Sequence, residues 1–124
     1  MFVLIVEDDA SILKLIEITL KKVCNVVLAE NGKIGLEKAK LLKPQLIISD
    51  NMMPEMSGIE LKEHLNEFPE TKDIPFIFLI ALSDEKIKEK ALSLGVVEYL
   101  IKPISPILIR QKVLQLLKID IIKE

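Results

Sequence analysis

Leu46-Ile47-Ile48-Ser49-Asp50, running on into Asn51-Met52-Met53-Pro54-Glu55-Met56-Ser57-Gly58, is the stretch whose reading decides the fold. The first four residues form a short apolar run of the kind that makes a buried strand. The run ends on a single carboxylate, Asp50, and then enters a loop marked by a proline and a glycine. Two further apolar runs end in the same manner. Phe2-Val3-Leu4-Ile5-Val6 meets the acidic cluster Glu7-Asp8-Asp9, and Tyr99-Leu100-Ile101 meets Lys102 and Pro103. Three strand ends that bring carboxylate, carboxylate and ammonium to one sheet edge would form a site for a divalent metal and a phosphoryl group.

Outward from this stretch, apolar runs and helical patterns alternate five times. Residues 2–6 read as a strand, and a helix follows from about Ala10 to Lys22, with Ile12, Leu13, Ile16 and Leu20 at helical spacing. A strand over Val26–Ala29 precedes the Asn31-Gly32 turn and a helix to about Leu42, before Pro44. After the strand Gln45–Ser49, a helix starts near Ser57 or Gly58 and ends before Pro69. Phe76–Ile80 is the fourth strand, within an apolar run that reaches Leu82. Ser83 is expected to N-cap the fourth helix, with Asp84 and Glu85 in its first turn and Gly95 as its stop. Val97–Ile101 is the fifth strand. Ser105 and Pro106 read as N-cap and first residue of a fifth helix with room to continue beyond Lys118. Strands alternating with helices imply a parallel sheet covered on both faces. Right-handed crossovers then place all strand C-termini on one edge, where such sheets bind ligands.

Composition narrows the function classes. With 124 residues, the chain is expected to form one domain spanning residues 1–124. Half of it is hydrophobic and the mean hydropathy is +0.37, yet no apolar run approaches the ~18 residues of a membrane span. The only cysteine, Cys24, excludes an internal disulfide and fits a reducing compartment, so a cytoplasmic location is expected. A net charge of −2, one tyrosine and no tryptophan argue against a nucleic-acid surface. His64, the only histidine, reads as part of a solvated helix face, and Cys24 as a small hydrophobe.

The three quoted motifs together, in this order and at these strand ends, resemble the receiver domain of two-component response regulators over essentially the whole chain. The resemblance implies a flavodoxin-like (βα)5 doubly wound sheet with strand order 2-1-3-4-5. It implies that Asp50 is the phosphoacceptor and that Mg²⁺ is the cofactor. Asp8 would ligate the metal directly, Glu7 through water, and Met52 through its backbone carbonyl. Lys102 would pair with Asp50 and then with phosphoryl oxygens, and Tyr99 would be the aromatic switch residue. A cis Lys102–Pro103 bond, a histidine kinase or phosphotransfer protein as donor, and no turnover enzyme activity complete what the family implies. The chemistry of the residues agrees. Crowded carboxylates call for a hard cation, and phosphoryl transfer to a carboxylate is mostly positioning and charge neutralisation.

One position departs from the family pattern. Receivers carry threonine or serine at the end of the fourth strand, and here Phe78-Leu79-Ile80-Ala81-Leu82 places Ile80 there. Isoleucine has no donor for a phosphoryl oxygen, and its bulk is expected to hold Tyr99 outward. A degenerate receiver that docks partners without switching is therefore the alternative. A Mg²⁺-dependent phosphohydrolase of the haloacid dehalogenase type ranks last, since Met52 stands where those enzymes place a second aspartate. In the fifth helix, Ile109, Val113, Leu116 and Leu117 are expected to face the sheet. Ile107, Leu108, Leu114, Ile121 and Ile122 are left partly exposed, an apolar patch suited to a homodimer or effector contact through the fourth helix, fifth strand and fifth helix.

Overall fold

The computed structural model describes residues 2–81 and 83–117. Among the described residues, five strands, β1 (Phe2–Val6), β2 (Asn25–Ala29), β3 (Leu46–Asp50), β4 (Phe76–Ile80) and β5 (Glu98–Ile101), alternate with five helices. These are α1 (Ala10–Leu20), α2 (Gly32–Leu42), α3 (Gly58–Leu65), α4 (Glu85–Ser93) and α5 (Pro106–Leu117). All strand pairs are parallel and the sheet order is β2-β1-β3-β4-β5, as expected. The central strands are buried on both faces, which is why β3 and β4 are nearly continuous apolar runs.

Alternation along each strand divides the core in two. Leu4, Val6, Ile47, Phe76, Phe78 and Ile80 face one layer, where side chains of α2, α3 and α4 pack. Val3, Ile5, Leu46, Ile48, Ile77 and Leu79 face the other, against α1 and α5. Every helix crossover thus leaves the next strand pointing the same way, and all strand C-termini share one edge.

Helix ends follow local chemistry. Asp9 caps α1, its Oδ1 accepting the N–H groups of Ser11 at 2.9 Å and Ile12 at 3.1 Å. Ser57 and Glu60 form a capping box on α3. Ser105 Oγ accepts the Leu108 N–H at 3.2 Å, as its N-cap reading requires. Gly95 stops α4 with φ +94°, its N–H bonding to Leu92 O and that of Val96 to Ala91 O, a paired closure that needs the left-handed residue.

Three expectations need correction. Ser83 is not the cap of α4. The Asp84 N–H bonds back to Ala81 O, so Ser83 is consumed in that turn, and Asp84 becomes the N-cap without a side-chain bond. The first helix stops at Leu20, where a turn through Val23 and Cys24 closes onto the Leu20 carbonyl. Leu114 is buried, because α5 turns that side toward Thr19 of α1. The apolar patch on α5 is therefore smaller than expected, with Ile107 and Leu108 exposed. Leu82, Lys118, Ile121 and Ile122 lie outside the described residues.

Candidate phosphoryl and metal site

The C-terminal edge of the sheet gathers Glu7 and Asp8 after β1, Asp50 at the end of β3, Ile80 at the end of β4 and Lys102 after β5. One carboxylate oxygen from each of Glu7, Asp8 and Asp50 lies within 4.8 Å of the others. Lys102 Nζ stands 2.8 Å from Asp50 Oδ1. The Lys102 N–H also donates to Ile80 O at 2.9 Å, which ties the lysine to the end of β4. The Lys102–Pro103 peptide bond is cis.

The three carboxylates differ in environment. Asp8 is exposed, while Glu7 is only 1% exposed and Asp50 4%. Glu7 Oε2 accepts the Asp9 N–H at 3.1 Å. Its other oxygen, Oε1, is buried without a partner among the described residues. Burial pushes the Glu7 carboxyl up to about 7; the Asp9 N–H opposes this, the charge of Asp50 adds to it, and Lys102 relieves part of it. For Lys102, burial pulls downward, but the hydrogen bond and charge of Asp50, with the charges of Glu7 and Asp8, carry the ammonium above the ordinary lysine range. An orphaned buried carboxylate oxygen beside two more carboxylates is a donor set suited to a hard divalent cation.

The loop after Asp50 is held by its neighbours. The Gly58 N–H donates to Asn51 O at 2.9 Å, and Asn51 Oδ1 accepts the Ile59 N–H at 3.1 Å. A Cβ at Gly58 would collide with the Asp50 carbonyl and the Phe78 ring, so this position requires glycine for close approach. Met52 lies in this loop and is 74% exposed. Ile80 is 2% exposed and packs in the layer that also holds Tyr99. Lys88 of α4 covers the Tyr99 ring, its Nζ 4.6 Å from the centroid.

Two residues here escaped the sequence reading. Asn51 is a buried polar residue whose amide fixes α3, and its position directly after Asp50 was the available signal. Lys88 gave no signal, because a lysine on a charged helix looks like any other.

Comparison with known proteins agrees with this geometry. Residues 3–114 match the family described as the response regulator receiver domain. The hybrid signal transduction histidine kinase D of Dictyostelium discoideum is 41% identical over 103 residues, covering 83% of this chain and 7% of that protein. A protein-glutamate methylesterase/protein-glutamine glutaminase of Desulfotalea psychrophila is 36% identical over 104 residues, covering 82% of this chain and 29% of that protein. The chain thus spans less than a third of the length of these two curated relatives. Among solved structures, the receiver domain of a signal transduction histidine kinase from Syntrophus aciditrophicus superposes with a TM-score of 0.86 at 31% identity, covering 99% of this chain and 94% of that one. No helix among the described residues is long and apolar enough to cross a membrane. Fold, strand-end residues and likeness over nearly the whole length agree: the chain belongs to the response regulator receiver domain family of two-component systems.

Proposed function

We propose that residues 1–124 act as one phosphoacceptor domain in which Asp50 takes a phosphoryl group from a phosphohistidine on a histidine kinase or phosphotransfer protein. The observation that carries this reading is the 2.8 Å Lys102–Asp50 contact beside the Glu7, Asp8 and Asp50 carboxylates. An Asp50 carboxylate oxygen attacks phosphorus in line with the donor P–N bond. That bond breaks, its electron pair stays on the imidazole nitrogen, which is then protonated, and an acyl phosphate forms on Asp50. Lys102 keeps the carboxylate oriented and afterwards faces the phosphoryl oxygens. Glu7, Asp8, Asp50 and the Met52 carbonyl would hold Mg²⁺, which supplies charge neutralisation for the transferred group. The domain accepts and loses a phosphoryl group without a separate turnover reaction. Leu92, Val97, Ile101, Ile107 and Leu108, exposed on α4, β5 and α5 and the turn between α4 and β5, support a homodimer or effector contact there.

Intact-mass measurement with acetyl phosphate and Mg²⁺ tests the chemistry. One added phosphoryl group is expected in the natural chain and none in Asp50→Asn. The adduct persisting in Asp50→Asn overturns the assignment.

A second reading is favoured by Ile80. Without a hydroxyl at the end of β4, the phosphoryl group has one fewer contact through which to shift the fold. A module that docks partners in one shape, phosphorylated or not, follows from that reading.

A further inference from the structure

The opposite edge of the sheet, before β4 and β5, carries a groove of about 440 Å³ between the α3–β4 and α4–β5 connections. This volume lies within the range of small-molecule pockets. Its lining includes Lys62, Asn66, Ile74, Pro75, Leu94 and Val97, with Lys72 and Asp73 exposed at the rim. Lys62, on α3, is only 3% exposed. Lysine is almost never this buried unless paired. Among the described residues its Nζ makes one hydrogen bond, to the Lys72 carbonyl at 3.2 Å. No carboxylate there is in ion-pair contact with it. The Phe76 ring lies 5.9 Å away. An ammonium has three N–H donors, so two remain unused on the wall of an open groove. Burial pulls this ammonium below the ordinary lysine range, and the charge of Asp73 restores only part of it. Asn66 is engaged with the opposite wall, its Nδ2 donating to Leu94 O at 3.0 Å, which holds the groove's two sides in register.

We propose that this groove binds a small monocarboxylate with a short apolar tail. The carboxylate satisfies the free donors of Lys62 and supplies the counter-charge that the buried ammonium lacks. Ile74, Pro75, Leu94 and Val97 line the space for the tail. Lys72 adds positive charge at the rim, whereas Asp73 disfavours a second negative charge on the ligand. The site is separate from the Asp50 edge, so ligand here leaves the phosphoryl chemistry untouched.

Titration of the full ¹⁵N-labelled chain with butyrate, and in parallel with inorganic phosphate, tests this. Butyrate is expected to give saturable amide shifts at Lys62, Asn66, Lys72, Ile74 and Gly95, and none at Glu7 or Asp50. Lys62→Met is expected to lose about tenfold in affinity, the worth of one charge-assisted hydrogen bond, and Lys62→Arg to keep most of it. An absence of saturable shifts at the groove, or undiminished affinity in Lys62→Met, overturns the site. Equal affinity for phosphate overturns the monocarboxylate assignment. Should Lys62→Met fail to fold, the Lys62 Nζ resonance of the natural chain decides instead: it shifts saturably with butyrate, or the proposal is wrong.

Discussion

Asp9 spends its side chain on the N–H groups of Ser11 and Ile12, Asp8 stays in solvent, and Glu7 folds beneath with one oxygen unpartnered. The sequence shows three adjacent acids and cannot separate these duties, because a cap and a ligand use the same residue type. Since Asp8 is exposed, Asp8→Ala should leave stability within about 0.5 kcal/mol. Calorimetric titration should nonetheless show Mg²⁺ affinity falling about tenfold or more, and unaltered affinity would remove Asp8 from the metal site. Lys62 gives a prediction of different sign. Its value in the folded chain lies below the ordinary 10.5, so between the two values the unfolded chain binds more protons than the folded one. Stability of the natural chain should therefore rise, relative to Lys62→Met, as pH climbs through that window toward 10.5. Urea titrations of both proteins at several alkaline pH values check this, and a falling difference contradicts it.

Element boundaries were legible where a residue type has one use. Pro44 and Pro69 follow helical segments, Gly95 closes α4, and Ser105-Pro106 opens α5. They were illegible where two neighbours compete for one duty. Ser83 and Asp84 are both good caps, and the Asp84 N–H bond to Ala81 O decides between them, a backbone fact absent from side-chain identity. Leu114 shows the same limit. Helical spacing along α5 cannot tell which apolar side meets α1, so a residue expected on the surface is buried. The start of α3 is held more tightly than its sequence suggests, since Gly58 touches both the Asp50 backbone and Phe78. Gly58→Ala must push α3 or the Asp50 loop aside, at a cost of about 1–3 kcal/mol. Chemical denaturation should show that loss, with slower phosphorylation of Asp50 by acetyl phosphate. A variant as stable and as reactive as the natural chain would mean that α3 yields freely.

Alternating runs and handed crossovers were enough to predict a parallel sheet covered on both faces and the meeting of Glu7, Asp8, Asp50 and Lys102 at one edge, whereas the strand order followed only from the family resemblance. What one strand end does to the rest of the molecule was not legible, because coupling depends on packing between layers. Here Ile80 fills the end of β4 in the layer that holds Tyr99, while Lys88 of α4 covers the same ring from outside. A phosphoryl group on Asp50 moves this assembly only through contacts that differ between two states. The hydroxyl absent at position 80 removes a bond worth ~1.5–3 kcal/mol, as large as the whole coupling of many switches. Beryllofluoride, a mimic of the phosphoryl group, should therefore perturb NMR signals near Asp50 and leave those of α4 and Tyr99 nearly unchanged. Ile80→Thr should reverse this, with shifts reaching Tyr99 and α4. The same substitution places a hydroxyl in a buried apolar layer and removes a methyl group, so it should cost about 1–3 kcal/mol of stability without the mimic. A protein that becomes less stable yet more responsive is the signature expected of a restored switch. Equal α4 and Tyr99 shifts in both proteins would show that Lys102 alone transmits the signal and that Ile80 only packs.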